Sequence, residues 1–593
     1  MQSKEAVARI EVLNLGDVPL IFAQLEELGI QQTIDSLIKV HGNWVGSSVG
    51  KVLSIWCCYL LTQGDHRLSC VESWVELHHS LLIAMSGWER LRVKDFTDDN
   101  LERILDYISK EEQWSEVNRQ LGKSSLEVYE VGKIPTIRLD AAPQQGHHQI
   151  KSVGLFQYGY SKHHNPNLGM MKVMLAVMDN EVNGMGYPLA HLTVSGERAD
   201  DTLYIPIIAE SELVWASCKR KTRKLYVGDS KMSSLGNRHY IWKSKNDYLS
   251  PLPKKQLSDK ERIKRVNEQD TFKEVYKKDK SGKRELVAKG FECEQTISYE
   301  QTDGQIVQWQ ERRVYVQSTS YAKSKQKALD KKIEKTKEKL NYLLVRKQGK
   351  QTPGTKKEVQ IAVDKLLEES GLVELIEVKI QEKRAKKKVN AYGAKPARIE
   401  TKSTFQLHIH LQEQAIATRK KLAGWQVYAT TISQRKLSFE KIVWKYREQN
   451  RIESRFNDLR NKVVPLLPIF LKKDNRIEAL VSVLMVCLKV CSVIEFKIAK
   501  QLKEEQKELA NIYPGNPKQT TARPTAKKIL EQFKRIAITL IYEPKVQLPR
   551  VLMTDLNHTI LEIIRLIGFK SDIYTDLSAK LEVLFSNKNF SEN

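Results

Sequence analysis

The spacing of apolar residues changes along the chain and predicts a helical segment first. Up to about residue 130, apolar residues recur every three or four positions, as in Ile21–Leu28 and Val71–Leu77, which is typical of amphipathic helices. Asp98 and Asp99 precede another periodic stretch and favour a helix start there, because a helix carries partial positive charge at its amino end. Residues 1–130 are therefore predicted to form a helical N-terminal domain.

After residue 130 the pattern changes to short runs of β-branched and apolar residues. Strands are predicted at Ile134–Asp140, Val153–Tyr160, Lys172–Met178, Pro188–Val194 and Leu225–Asp229. A helical stretch that begins at Asp200 separates the last two, and Pro206 is expected to interrupt or end it. Strands, then a helix, then another strand indicate an α/β layer over residues 131–250.

Residues 251–425 differ again, with polar strands and long charged segments. Strands are predicted at Arg284–Glu294 and Arg312–Val316, and a highly charged helix at 323–347. The apolar stripe of this helix is narrow, which is typical of a helical hairpin or a coiled-coil arm. The basic run Lys383–Lys388 has solvated surface as its simplest interpretation. We predict a β-rich insertion with a charged helical arm.

Beyond Trp425 the pattern is again helical. Helices are predicted at Ser438–Val463, Ile477–Lys500, Ile529–Tyr542 and Ile560–Phe569, the first of them ending where Pro465 and Pro468 follow. Residues 426–500 are assigned to the second part of the α/β core. Residues 501–593 are predicted to form a helical C-terminal region, with dimerisation as its candidate role.

The composition favours a polyanionic partner. The chain has 593 residues with 97 Lys and Arg against 72 Asp and Glu, a net charge of +25, and binding of phosphates to such a surface releases condensed counterions. No apolar run reaches the roughly 18 to 20 residues that span a bilayer, so Val52–Leu61 and Ala479–Ile494 are predicted to be buried helices. The seven cysteines are odd in number and lack zinc-ligand spacing, which indicates free thiols and a cytoplasmic protein.

Two aspartates follow strand-like runs. Asp140 and Asp229 each end an apolar run, and they lie 89 residues apart. Acids at the carboxyl ends of neighbouring strands converge at the edge where an α/β sheet binds ligands. Taken singly, each could equally cap a turn, since Asp is common after strands.

A third acid, Glu453, can be grouped with these two aspartates on chemical grounds. Tyr446, Glu453 and Arg460 are each seven residues apart and are predicted to lie near one face of a helix, where a surface salt-bridge stripe is the alternative. In-line displacement at a phosphodiester uses two cations about 4 Å apart, and Mg²⁺ prefers oxygen ligands. Three carboxylates suffice if one of them bridges both ions, so Asp140, Asp229 and Glu453 could together hold two Mg²⁺ ions, for which Mn²⁺ is expected to substitute.

At these residues the chain resembles the DDE transposases of bacterial insertion sequences, in the insertion sequence 4-like branch with a Tyr-Arg-Glu-Lys signature. The signature positions here are Tyr446, Gln449, Glu453 and Arg460. Gln449 departs from the arginine of the pattern, and Arg447 or Arg451 is near enough in sequence to supply the cation. Arg460 keeps the positive charge of the fourth position.

Other segments resemble the same family in the same order. They are Tyr158–Leu168, Pro188–Leu189 with Ser195–Asp200, Val227–Met232, Gly424–Thr431 and Pro468–Leu480, together with the helical stretch Val12–Leu61. The resemblance thus extends over most of the chain.

The resemblance implies an α/β ribonuclease-H-like catalytic core with a mostly β insertion domain, plus helical N-terminal and C-terminal regions. The insertion falls in the 224 residues between Asp229 and Glu453. It also implies cut-and-paste transposition, in which a homodimer acts on double-stranded DNA, both terminal inverted repeats and target DNA. Such a protein is expected to be cytoplasmic and associated with the nucleoid.

Several residues are candidate DNA contacts under this resemblance. Tyr446 and Arg460 are expected to contact phosphate near the scissile bond, with Gln449 and Arg451 close by. Lys221 and Arg223 belong to a basic run that would put positive charge beside the active edge, unless it is solvated surface. Trp425 is either a base-stacking residue or a buried strand residue. The N-terminal domain is the candidate for recognising the inverted repeats.

Two alternative functions remain open. One is a nuclease with the ribonuclease-H-like fold that cuts DNA without joining it. The other is a catalytically silent DNA-binding protein derived from a transposase. Short inverted repeats flanking the coding region would distinguish a mobile element from a resident nuclease.

Overall fold

The chain folds into two compact units, one inserted into the other. The computed structural model describes residues 9–129, 132–159, 167–182, 184–218, 222–278, 282–345, 352–389, 398–543, 546 and 548–591. Unit 1 comprises Met1–Leu249 and Tyr446–Asn593, and unit 2 comprises Ser250–Lys445. The inserted unit therefore ends 20 residues beyond the insertion predicted at 251–425, so that Trp425 and the strand it begins belong to unit 2.

The N-terminal segment of unit 1 is largely helical, as its periodicity predicts. After strand β1 (Arg9–Asn14) come α1 (Val18–Glu27), α2 (Ile30–Leu37), α3 (Val49–Gln63), α4 (Val71–Ser86), α5 (Asp98–Ile108) and α6 (Glu111–Val128). The strand was not predicted. It pairs antiparallel with Ala537–Tyr542 near the other end of the chain, a partner that no local pattern reveals.

The α/β layer of unit 1 follows. Its elements are β2 (Thr136–Gly146), β3 (Gly169–Asp179), β4 (Gly186–Ser195), α7 (Tyr204–Ser217), β5 (Leu225–Val227), α8 (Leu235–Lys243) and β6 (Asp247–Pro251). The strands lie in the order β4-β3-β2-β5-β6. The first three pair antiparallel, whereas β5 pairs parallel with both β2 and β6. The apolar run of β3 is buried along nearly its whole length, as a central strand requires.

Two predictions in this layer are wrong. Val153–Tyr160 forms no strand over its described part and contributes only a bridge between Gln157 and Met170, while Tyr160 lies outside the described residues. Pro206 does not end the helix that starts at Tyr204. It occupies the first turn of α7, where backbone N–H groups have no intrahelical partner and a missing donor costs nothing.

Unit 2 contains a sheet and a separate helical and hairpin region. Its elements are α9 (Asp259–Asn267), β7 (Lys273–Lys278), β8 (Arg284–Glu300), β9 (Ile306–Ser318), α10 (Thr319–Leu343), α11 (Lys356–Ser370), β10 (Ile376–Val389), β11 (Arg398–Leu411), α12 (Glu413–Leu422) and β12 (Trp425–Thr430). The strands β12-β9-β8-β7 form antiparallel neighbours in that order. Strands β10 and β11 pair only with each other among the described residues.

The chain then completes unit 1. The remaining elements are α13 (Phe439–Arg447), α14 (Asn450–Asn457), α15 (Asp474–Glu504), α16 (Ala526–Leu530), β13 (Ala537–Tyr542), β14 (Arg550–Met553), α17 (His558–Ile567) and α18 (Asp572–Ser591).

The single helix predicted at Ser438–Val463 is wrong. Glu448 and Gln449 separate α13 from α14, and the segment ends in the π-helical turn Asp458–Lys462.

The helical prediction for residues 501–593 is only partly right. The helix predicted at Ile529–Tyr542 stops at Leu530, and Ala537–Tyr542 forms β13 between β1 and β14. Its alternating, β-branched side chains suit a strand once partners lie on both sides.

Helix α15 is the central helix of unit 1. It is long and apolar enough to span a membrane, but 94% of its apolar window is buried inside the protein. Each fully buried Leu, Ile or Val contributes about 1.5–3 kcal/mol by leaving water. The helix predicted at Ile477–Lys500 is thus confirmed, and its apolar character is explained by packing against α3, α5, α17 and β4.

Candidate active site

Strand register brings the two aspartates together. In the parallel pair β2 and β5, Thr136 lies beside Leu225 and Arg138 beside Val227, an offset of 89 residues. Asp140 and Asp229 have the same offset. Continuing the register by two residues therefore sets the two carboxylates side by side at the carboxyl end of β5. Side chains alternate along a strand, so Asp140 shares its face with Arg138.

A tight turn after β5 holds Asp229. The Tyr204 hydroxyl donates a hydrogen bond of 2.7 Å to Asp229 Oδ1, and the backbone N–H of Lys231 donates one of 2.8 Å to the same oxygen. A Cβ at Gly228 would lie 2.7 Å from Met232 Sδ and 3.2 Å from a ring carbon of Tyr204. Glycine is needed there because the backbone passes this close to both side chains.

The charges of both aspartates act on two tyrosines. Burial raises the pKa of Tyr204 well above its usual value, and the charge of Asp229, its hydrogen bond and the charge of Asp140 add to the rise. Burial also raises the pKa of Tyr446, as do the charges of Asp229 and Asp140, while Arg138 acts in the opposite direction. Both hydroxyls therefore stay protonated at neutral pH. Tyr204 was not predicted as a site residue, because nothing in its local sequence distinguishes it.

A buried ion network lies beside this site. The fully buried Arg138 donates to both carboxylate oxygens of Asp179, at 2.6 and 2.9 Å, and contacts Glu448 at 3.2 Å. Arg451 contacts Asp179 at 3.4 Å and Glu448 at 2.8 Å, and donates to the Asn180 carbonyl at 3.0 Å. The network ties the start of β2 and the end of β3 to the break between α13 and α14. Arg451, a predicted DNA contact, is thus engaged within the protein.

A second buried cation fixes α14. Arg455 donates to Glu495 at 2.6 Å, to Asp458 at 3.0 Å and to the Gly186 carbonyl at 2.6 Å. Burial would lower the pKa of Arg455, but the charges of Glu495 and Asp458 raise it above its usual value. Helix α14 therefore presents its opposite side, with Glu453, to solvent.

The signature residues do not lie on one helix face as predicted. Tyr446 belongs to α13, Glu453 to α14 and Arg460 to the π-helical turn, because Glu448 and Gln449 interrupt the helix. Glu453 and Arg460 are exposed, whereas Tyr446 and Gln449 are half-buried. Among the described residues, none donates a hydrogen bond to the buried side-chain carbonyl oxygen of Gln449.

The structure brings two of the three predicted acids together. Within the described part of the chain, no three His, Cys, Asp or Glu side chains are grouped closely enough to hold a metal ion. Asp140 and Asp229 offer the carboxylate oxygens that Mg²⁺ prefers, so the pair fits such an ion chemically. Glu453 as a third ligand stays a prediction.

Arg223, from the basic run before β5, does not lie at the active edge as expected. Arg223 precedes β5 and pairs with Asp247 at 2.6 Å, at the amino ends of β5 and β6. Asp229 lies at the carboxyl end, and successive strand residues advance about 3.3 Å, so Arg223 faces the opposite edge. There it lines a cavity of about 1250 Å³ with Trp215 and Trp242. Lys221 lies outside the described residues.

Trp425 belongs to unit 2 and is buried. It is 5% exposed in β12, and its ring contacts Phe272 and Phe291 at centroid distances of 5.7 and 5.9 Å. Its surroundings are those of a buried strand residue.

No protein-family model and no curated protein matches this chain. Its function is therefore argued from the site and from the resemblance at Asp140, Asp229 and the Tyr446–Arg460 segment.

Proposed function

We propose that this chain is a DNA transposase that cuts insertion-sequence ends and transfers the strands into target DNA. The observation that carries the proposal is the register of β2 and β5, whose pairs end at Arg138 and Val227, two residues before Asp140 and Asp229. Three antiparallel strands, a helix and then a parallel strand beside the first also suit a ribonuclease-H-like core. Terminal inverted repeats are the proposed substrate, and a homodimer is the proposed active form.

In this proposal the carboxylates hold the catalytic ions. Asp140, Asp229 and Glu453 would bind two Mg²⁺ ions, which stabilise the entering and leaving oxygens of an in-line displacement. The Tyr204 hydroxyl donates to Asp229 and fixes the orientation of its carboxylate. Tyr446 is the proposed contact to a phosphate oxygen near the scissile bond. Arg138 and its partners orient the end of α13 that carries Tyr446.

The test is Mg²⁺- or Mn²⁺-dependent cleavage and joining of duplexes that carry the sequences flanking the coding region. Wild type is compared with Asp140→Asn, Asp229→Asn and Glu453→Gln, each checked for retained DNA binding. Asp576→Asn, an exposed position on α18, is the matched control. The proposal expects wild type and the control to cut and join, while the three site variants bind without reacting.

Other outcomes assign the chain differently. Cleavage without joining identifies a nuclease, and binding by wild type without any cleavage identifies a silent DNA-binding protein. Full activity of Glu453→Gln with inert aspartate variants would show that the third acid is misassigned.

A further inference from the structure

The excess positive charge is concentrated in one part of unit 2. Unit 2 has 45 Lys and Arg against 25 Asp and Glu, which is +20 of the total of +25. Residues 319–422, hereafter the arm, have 26 against 12, a net of +14 in 104 residues. Such an excess repels itself unless a polyanion neutralises it.

The arm has a hydrophobic core of its own. Helices α10, α11 and α12 and the hairpin β10–β11 enclose a cluster of buried apolar residues. The cluster consists of Ile333, Leu340, Val359, Val363, Leu367, Leu372, Leu375, Ile376 and Ile416. The charged residues are therefore displayed by a folded scaffold and not by a solvated coil.

Helix α10 carries a regular row of lysines. The row, hereafter the lysine ridge, consists of Lys323, Lys327, Lys331, Lys335 and Lys339. All five are exposed, and the described residues form no ion pair with any of them. Four helical residues advance about 6 Å, so neighbouring ammonium groups repel one another along the helix. Within the same helix Lys337 does pair, with Glu334 at 3.2 Å.

The hairpin β10–β11 extends beyond the arm's core. Side chains near its base, such as Val378 and Leu407, pack on the core, but described side chains of β10 from Lys383 onward are exposed. Both faces of the ribbon are therefore open to solvent. Lys383, Arg384, Lys386 and Lys388 lie on this segment, all of them exposed.

The shape and charge together select among polyanions. A two-stranded ribbon fits the major groove of B-form DNA, whereas the major groove of duplex RNA is too deep and narrow for it. An anionic membrane would require an exposed apolar face, but the apolar face of α10 is buried through Ile333 and Leu340. Duplex DNA is the partner that both features favour.

We propose that the arm binds the phosphate backbone of duplex DNA through its lysine ridge, with the β10–β11 ribbon in a groove. The ribbon and ridge belong to a unit other than the one that holds Asp140 and Asp229. The identity of the partner as DNA rests on the function proposed above. The proposal for the arm adds which part of the chain supplies affinity for DNA outside the catalytic site.

The test is the salt dependence of binding to a fluorescent duplex of about 30 base pairs by the full-length protein. A ridge variant replaces Lys323, Lys327, Lys331, Lys335 and Lys339 by Gln. A charge-matched control replaces five exposed lysines of unit 1 outside the N-terminal domain by Gln, namely Lys503, Lys518, Lys527, Lys570 and Lys580. Melting of each protein without DNA checks its fold, and the ridge variant is expected to melt no lower than wild type because like charges are removed.

The ridge variant is expected to lose at least tenfold in affinity at about 150 mM salt. The magnitude of its slope of log K against log salt should fall by about 3 to 4.5, since each lost phosphate contact lowers it by about 0.9. The control should change affinity less than threefold. Equal slopes for wild type and the ridge variant would overturn the proposal, as would tighter binding to an RNA duplex or to phosphatidylserine vesicles.

The result for DNA binding by the arm can be distinguished from the result for the proposed transposase activity. Loss of binding in the ridge variant, in a protein that cuts no DNA, would support the arm and reject the transposase. Cleavage by wild type with unchanged binding by the ridge variant would do the reverse. A wild-type protein that binds no duplex would reject both.

Discussion

Unit 1 and unit 2 distribute charge and apolar residues in different ways. Unit 1 carries 52 Lys and Arg against 47 Asp and Glu over 397 residues, a net of only +5, and is organised around the buried helix α15. Unit 2 carries +20 over 196 residues, and its arm has a small core of nine buried residues. Buried ion pairs occur in unit 1 and, outside the arm, in unit 2, where Arg313 pairs with Glu311. The arm differs by its lysine ridge, whose exposed ammonium groups form no ion pair with the described residues.

This difference in charge distribution indicates that the two units have different roles. Buried ion pairs require aligned geometry, which suits a site that must hold carboxylates in fixed positions. Exposed lysines on a helix and a ribbon need only follow a line of phosphates. The four predictions below test whether the two units are separate in stability and whether precise geometry matters only in unit 1.

The largest expected effect is the loss of a buried ion pair in unit 1. Glu495→Gln removes the partner of Arg455 at 2.6 Å, and breaking a buried pair costs about 3–5 kcal/mol of unfolding free energy. Urea unfolding that is monitored by hydrogen exchange should show this loss of unfolding free energy in unit 1 alone. Glu504→Gln, which removes a 4.0 Å surface pair with Lys500, should cost less than about 1 kcal/mol. Equal losses of unfolding free energy in the two variants would refute the contrast between buried and surface ion pairs.

The corresponding change in unit 2 acts on the arm's core. Leu340→Ala deletes a fully buried side chain and should cost about 2–5 kcal/mol of local stability. Because the arm has its own core, amide protection should fall in residues 319–422 while that of α15 stays unchanged. A matched change, Tyr342→Ala at an exposed position, should leave protection nearly intact. Loss of protection in α15 would show that the two cores unfold together.

A smaller effect is expected on activity at the candidate site. Tyr204→Phe removes the 2.7 Å hydrogen bond to Asp229 but keeps the ring. Groups that orient a metal ligand typically contribute about 10- to 100-fold in activity or metal affinity. The Mn²⁺ concentration that gives half of the maximal cleavage rate should rise, and the melting temperature should stay unchanged. An unaltered metal titration would remove Tyr204 from the site.

The smallest expected effect is a pH dependence of unit 1. Burial lowers the pKa of Lys489 to about 7. Lys489 contacts Asn118 and lies over the ring of Tyr187, and burial with the Lys489 charge lowers the pKa of nearby His191 to about 3. The unfolded chain keeps its lysine protonated up to about 10.4, so it binds more protons than the folded chain above pH 7.

Stability should therefore rise with pH between 7 and 9, by at most about 1.4 kcal/mol per pH unit. Lys489→Met provides the reference, because the titrating group is absent. Unfolding free energies measured at pH 7 and pH 9 should differ more for wild type than for this variant. His191 is neutral across this range and does not contribute. Parallel curves for the two proteins would assign any change to other groups.

Local sequence patterns predicted the elements whose side chains are nearly all buried. The continuous apolar runs of β3 and α15 and the short run of β5 are each confirmed by the structure. The patterns failed where a partner decides the conformation. Ala537–Tyr542 forms a strand because β1 and β14 flank it, and the helix breaks at Glu448 where Arg138 and Arg451 engage that carboxylate.

The sequence by itself determined that Asp229 follows a short strand and that positive charge is concentrated in the insertion, but its prediction that Asp140 ends a strand is wrong, because β2 continues to Gly146. The three-carboxylate site with Glu453, the two metal ions and the transposase activity remain predictions. Only the tertiary structure decided that the charges of both aspartates act on Tyr204 and Tyr446, that Tyr204 donates to Asp229 and that Arg223 lies at the opposite edge. The physical reason is that periodicity reports which face of an element is buried, whereas the partner that covers that face is set by packing between residues far apart in the chain.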